Sequence, residues 1–288
     1  MTAEVLVQGL VSGLLMGFVY ALIAAGLSLI FGLMEIVNFA HGEFLMGAMF
    51  ATFWAWALLK LDPLVSLPFT VLLLALFGLL VYHGLIRWIL GAPMLAQIFA
   101  TFGLAIFLRA AAQALWGADF RLVKGPLVDG RISLAGIFIG LPQLVASVGA
   151  LCAFGLLYWF IRKTETGLAL QATSQDRQAA MLMGIDTQRM FALGWAIGAG
   201  CVGAAGALLA MFFYIFPDVG ATFALLAYVA VALGGFGNVP ATLLAGVIVG
   251  IVEVLGGLLI APALKYAVVF SLYLVVVLWR PQGLLGRF

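Results

Sequence analysis

EIVNFAHGEF, residues 35–44, is the stretch on which the reading of this chain turns. Only 8% of the 288 residues are charged and the chain has only 2 histidines. Yet these ten positions hold Glu35, Asn38, His41 and Glu43, between the apolar runs that end at Met34 and begin at Phe44. A polar cluster so placed reads as the interruption of a membrane segment. Where a helix breaks at bilayer depth, its freed N–H and C=O groups need partners. Asn38 is placed to cap the helix that follows, and Glu43 falls in its first turn, where the helix dipole favours an anion. Two roles stay open for the four polar residues: satisfying the break, or touching and gating a passing solute.

The rest of the composition agrees with a membrane location. The chain is 66% hydrophobic, with a mean hydropathy of +1.26. A soluble domain is roughly half apolar and a quarter charged. No soluble fold of this length could cover so much apolar surface. The expected fold class is therefore an all-α polytopic membrane protein in a single domain. A net charge of +2 offers nothing for nucleic acid. Cys152 and Cys201 lie inside apolar runs without a Cys or His at metal-ligand spacing, so no metal site is expected. The N-terminus lacks a basic region and carries Glu4, so the first apolar run is expected to be a retained span.

A spanning helix needs about 20 apolar residues, and on that measure about eight to ten spans are expected. The first covers Leu6 to Ile30, the second Phe44 to Leu59, the third Leu64 to Trp88 and the fourth Leu95 to Trp116. The fifth runs from Leu134 to Ile161 and the sixth from Met190 to Phe216. Two more flank a Gly-rich break from Leu233 to Pro240, and the last covers Ala263 to Trp279. Paired interruptions in the two halves, here near 32–42 and 234–240, are what an inverted repeat leaves in a sequence. Positive charge in short loops sets orientation. Arg87, Arg162, Lys163, Arg177, Arg189, Arg280 and Arg287 mark the expected cytoplasmic side; Lys60, Arg121, Lys124, Arg131 and Lys265 mark the other.

The one long polar stretch is RKTETGLALQATSQDRQAAMLMGIDTQR, residues 162–189. Thr173 and Asp176 have capping-box spacing, with Asp in place of Glu or Gln. Gly184 suits the left-handed position that ends a helix. One helix of about ten residues, about 15 Å long, is expected between them. It is polar early and apolar late, through Ala179, Ala180, Met181, Leu182 and Met183. The apolar end either packs on the protein or the lipid interface, or docks in a partner's groove.

Four blocks together resemble a known family. They are GLSLIFGLMEIVNFAHGEFLMGA at 26–48, IFATFGLAI at 98–106, TGLALQATSQDRQAAMLMGID at 166–186, and VALGGFGNVPATLLAGVIVGIVE at 231–253, with RPQGLLG at 280–286 closing the chain. The chain resembles the LivH-type permease subunits of ABC importers for branched-chain amino acids. Gln171 stands where that family usually has a basic residue, Asn238 where it often has Ser, and Ala241 where it usually has Gly. The resemblance implies a second homologous permease subunit, two cytosolic ATPase subunits, a periplasmic substrate-binding protein, and residence in the bacterial inner membrane. It implies a loop that couples to the ATPases, built on Gly167, Ala172, Asp176, Arg177, Ala180, Leu182 and Gly184. It also implies a translocation path whose candidates are Asn38, His41, Glu43, Gly234, Gly235, Gly237 and Glu253. No cofactor is expected on this chain, and ATP would be used by the partners, since it has no GxxxxGK[ST] phosphate loop.

A further residue keeps alternatives. Glu253 lies inside an apolar run, where a carboxylate is a functional candidate by default. It is either a gate or half of a structural ion pair, for which Arg109 is the expected partner. Gly246 and Gly250 have GxxxG spacing and are expected to pack helices closely. A self-sufficient ion-coupled transporter or channel, using Glu43, Glu253 and Arg109, is the competing function. An enzyme is disfavoured, because HExxH, paired aspartates and a nucleophile elbow are all absent.

Overall fold

The computed structural model describes residues 3–134 and 136–285. Arg287 and Gly286, used above, fall outside them. Among the described residues the helices are α1 Ala3–Met34, α2 His41–Leu59, α3 Pro63–Ile89, α4 Met94–Trp116, α5 Leu141–Lys163, α6 Glu165–Gln175, α7 Arg177–Leu182, α8 Thr187–Leu209, α9 Val219–Gly234, α10 Val239–Leu259 and α11 Lys265–Trp279. Among the described residues eight helical segments are long and apolar enough to cross a bilayer, and α9 is a shorter apolar helix. Its 16 residues span about 24 Å.

Hydrogen bonds between distant segments define two ends. Gln8 and Phe138 exchange bonds of 2.6 and 2.7 Å, placing the start of α1 beside the loop after α4. Arg121 and Ile215 pair through their backbones, and Asp62 accepts from the Leu127 amide. At the opposite end the Tyr82 hydroxyl donates to Gln188, and Leu284 N–H donates to Leu233 C=O. Lys60, Arg121, Lys124 and Arg131 thus share one end, and Arg87, Arg162, Arg177 and Arg280 the other, as their loops' parity predicts.

α1 and α8 form the buried axis. α8 owes this to its glycines: a Cβ on Gly198 would lie 2.9 Å from the Gly26 carbonyl of α1, and one on Gly206 would lie 3.1 Å from the Leu45 carbonyl of α2. The expected GxxxG seam is present and double. Gly246 and Gly250 on α10 meet Gly13, Gly17 and Ala21 on α1 backbone to backbone. Polar glue is sparse but placed across helices: Thr52 to Thr70 at 3.2 Å, and the Ser147 hydroxyl to the Leu15 carbonyl at 3.1 Å. α4 and α11 are peripheral.

Three expectations change. The fifth span starts at Leu141, because 131–140 is a hairpin: β1 Arg131–Leu134 pairs antiparallel with β2 Ile137–Gly140, around Gly136 at φ +83°. Its alternating Ile and Phe residues resemble the start of a span in composition alone. The sixth span stops at Leu209; Met211 to Phe216 are apolar but form a turn held by the Arg121–Ile215 bridge. The polar loop carries two helices, not one. Thr164 caps α6 by accepting from the Gly167 amide, and Asp176 caps α7 by accepting from Gln178 and Ala179. Thr173, expected to start a helix, is inside α6 with its hydroxyl on the Ala169 carbonyl. Gly184 does end α7, at φ +83°, with Ile185 N–H on Ala180 C=O and Gly184 N–H on Met181 C=O.

Candidate functional site

The interruption after α1 is an irregular segment, residues 35–40, that turns back into the bundle. Glu35 takes a left-handed conformation, φ 55°, and reverses the chain. By residue 41 the chain lies beside the middle of α1: the His41 ring donates through Nε2 to the Ile23 carbonyl at 3.0 Å. Ile23 is eleven positions before Met34, about 16 Å back along the helix at 1.5 Å per residue. α2 therefore starts inside the bundle, and Asn38 and His41 are fully buried.

Backbone at that depth is tolerated only where neighbours satisfy it. The Tyr228 hydroxyl on α9 donates to the Asn38 carbonyl at 2.7 Å. The Thr101 hydroxyl on α4 lies 3.2 Å from the Val37 carbonyl. Asn38 accepts from the Ala40 amide through Oδ1 at 3.1 Å, so it folds the turn before the helix rather than occupying the cap, which is Ala40. Gly42 allows the start of α2 to touch α9: a Cβ there would collide with the Gly220 carbonyl, and one on Gly220 with the Gly42 carbonyl. We predict that Tyr228→Phe, which keeps the ring beside Phe39, destabilises the protein by about 1 kcal/mol. Thermal unfolding in detergent checks this, with no shift as the contrary result.

Glu43, on the first turn of α2, pairs with Arg109 of α4, and Arg109 also faces Asp218, the residue before α9, at 3.6 Å. Glu253 pairs elsewhere. The expected Glu253–Arg109 bond does not form, because α4 lies beside α2 and Glu253 faces α1 and α11. Tyr20 donates to Glu253 Oε2 at 2.6 Å, and Lys265 to Oε1 at 2.7 Å. The three side chains brace α1, α10 and α11. Four buried polar atoms at or near the break have no hydrogen-bond partner: Asn38 Nδ2, His41 Nδ1, Glu43 Oε2 and Arg109 Nε. Sequence reading missed Asp218, Gly42, Gly220 and Tyr228, whose roles arise only from contact between segments far apart in the chain.

The second break is a tight turn at the opposite end of α9. Gly235 and Gly237 take φ of 102° and 76°, and a Cβ on Gly237 would sit 3.1 Å from Gly32 Cα. Gly234 packs on Ala241 of α10, 3.1 Å from where its Cβ would be. Asn238 caps α10 by accepting from the Ala241 amide through its side-chain oxygen, and its side-chain nitrogen donates to the Leu285 carbonyl. This turn, the ends of α1 and α5, and α6 line a cavity of about 890 Å³. Gln171, on α6, donates to the Ile161 carbonyl at 2.6 Å and closes the end of α5.

In the loop itself, Gly167 packs against the Phe160 and Ile161 carbonyls and Ala180 faces inward. Leu182 and Met183 are 88% and 83% exposed. The apolar end of α7 thus divides: Ala180 anchors it and the last residues project.

An interrupted helix with unpaired polar groups inside a multi-pass α-bundle, and a projecting apolar loop at one end, defines a membrane transport subunit. The chain belongs to the family described as branched-chain amino acid transport system, permease component, whose model matches residues 9–278. It is 32% identical to the high-affinity branched-chain amino acid transport system permease protein BraD of Pseudomonas aeruginosa, over 97% of this chain and 95% of that protein. It is 30% identical to LivH of Escherichia coli K12, with the same coverage. A probable LivH of Methanocaldococcus jannaschii is 30% identical over 92% of this chain and 88% of its own length. No solved structure matches the chain.

Proposed function

We propose that this chain is a permease subunit of an ATP-driven importer for branched-chain or closely related amino acids, in the bacterial inner membrane. The carrying observation is the non-helical segment 35–40, which brings the start of α2 and unpaired polar atoms of Asn38, His41 and Glu43 into the bundle. Discontinuous helices whose ends stop at bilayer depth are how transporter sites are built. In this reading those three residues line the path, and the Gly234, Gly235 and Gly237 turn shapes its exit beside the 890 Å³ cavity. Glu253 braces the bundle. The end carrying α6 and α7 is cytoplasmic, by its excess of Lys and Arg. There Gly167, Ala172, Asp176, Arg177, Ala180 and Gly184 build a loop that presents Leu182 to two ATPase subunits. A second homologous permease completes the path, and a periplasmic binding protein delivers the solute.

The test is uptake into proteoliposomes. With the second permease, the ATPases and the binding protein present, leucine should accumulate only when ATP is supplied. Accumulation by this chain alone, following an ion gradient and indifferent to ATP, establishes the ion-coupled transporter instead.

A further inference from the structure

Arg109 is seven positions from Trp116, the last residue of α4, so it lies about 10 Å inside the helix end. Its side chain is 34% accessible, and that of Asp218 is 57% accessible. A guanidinium facing lipid at that depth is strongly disfavoured. This face therefore meets water or protein, not acyl chains. The same three elements, α4, the break and α9, carry an aromatic group: Phe39 lies edge-on to Phe102, centroids 6.5 Å apart, and 5.7 Å from Tyr228. Phe102 is exposed.

The charges alternate as acid, base, acid, and they are incompletely satisfied. Glu43 is buried, yet its Oε2 has no partner. Arg109 Nε likewise has no hydrogen bond, and Asp218 stands 3.6 Å away, beyond hydrogen-bond reach. The Glu43–Arg109 pair thus keeps a buried acceptor with no hydrogen bond, and a buried donor held only by the longer ion pair to Asp218. That is the complement of a zwitterion, whose ammonium and carboxylate leave the same carbon. A solute with a single charge would leave one of the two sites empty.

We propose that Glu43, Arg109 and Asp218 form a station that reads the α-ammonium and α-carboxylate of an amino acid in transit, with Phe39, Phe102 and Tyr228 receiving its apolar side chain. The proposal rests on the importer reading above. Arg109 takes the carboxylate; Glu43 and Asp218 share the ammonium. The pre-formed ion pairs hold the empty station together and exchange for the zwitterion's charges, so its passage adds no net charge to the site.

The assembled importer in proteoliposomes, with leucine as probe, tests this by reading uptake and ATP hydrolysis side by side. In R109Q, leucine moved per ATP hydrolysed should fall about tenfold, because one charge partner is lost. Hydrolysis stimulated by the loaded binding protein should stay within about twofold of the unmodified protein. R109K should recover part of the loss. D218N, at an exposed side chain that makes no helix-capping hydrogen bond, should lower the ratio about threefold and decides the matter alone if R109Q fails to assemble. An unchanged ratio in D218N and R109Q overturns the station, as does a parallel fall of uptake and hydrolysis, which marks a structural brace. If the unmodified assembly moves no leucine with ATP, the importer reading itself falls, and the station with it.

Discussion

Replacing Gly250 with leucine should remove most of the folded protein from the membrane. A Cβ at this position would lie 2.6 Å from Gly17 Cα and equally close to Gly17 N, both backbone atoms that no rotamer change can move. The opposing position offers no space either, since α1 approaches through Gly13, Gly17 and Ala21. In lipid, helices associate through such contacts and not through a hydrophobic force between them. Separating α1 from α10 therefore loses van der Waals contact along the whole seam. The expected cost is about 3 kcal/mol or more, read as lost monodisperse yield and a lowered Tm in detergent. Gly155→Leu is the control: that glycine is on α5, with open space where its Cβ would be. Equal behaviour of the two variants would show that the seam does not hold the bundle.

Leu182→Glu should disconnect the permease from ATP hydrolysis while leaving the fold intact. Leu182 projects from the end of α7, and Met183 beside it. Removing one such anchor from a partner's groove costs about 3 kcal/mol, or about a hundredfold in affinity. Co-purification of the ATPase subunits should fail, ATP-driven uptake should fall with it, and Tm should not move. Retained assembly would sink the docking role and return these residues to the lipid interface. Ala180 and Gly184 are poor probes of the same question. Ala180 is buried against the protein and Gly184 sits at φ +83°; substitution at either unfolds the loop before it tests a partner.

Much of the architecture was legible from hydropathy, since length and apolarity are local properties. The spans, the two interruptions, the parity of the loops and the GxxxG spacing on α10 all follow from residues near one another in sequence. Gly184 as a helix stop was legible for the same reason. The hairpin at 131–140 was not, because its Ile and Phe residues satisfy a span's composition as well as a strand's alternation. The turn at 210–218 was missed likewise: six apolar residues look like more helix until Arg121 pairs with Ile215.

The candidate site divides along the same line. EIVNFAHGEF by itself showed a polar break between two spans, and the chain's four blocks of resemblance pointed to the family. Which charge meets which was beyond it. Glu253 had Arg109 as its expected partner because Arg109 is the one basic residue deep in the fourth expected span, whereas the packing of α11 brings Lys265 to Glu253 and leaves Arg109 to Glu43. Ion pairs form between side chains that the bundle brings within a few ångströms, and helix order in sequence does not state helix neighbours in space. For that physical reason the sequence alone determined that the first helix breaks and what polar groups it carries there, and only the tertiary structure decided that the segment after the break turns back beside α1 and where each of those groups finds, or lacks, a partner.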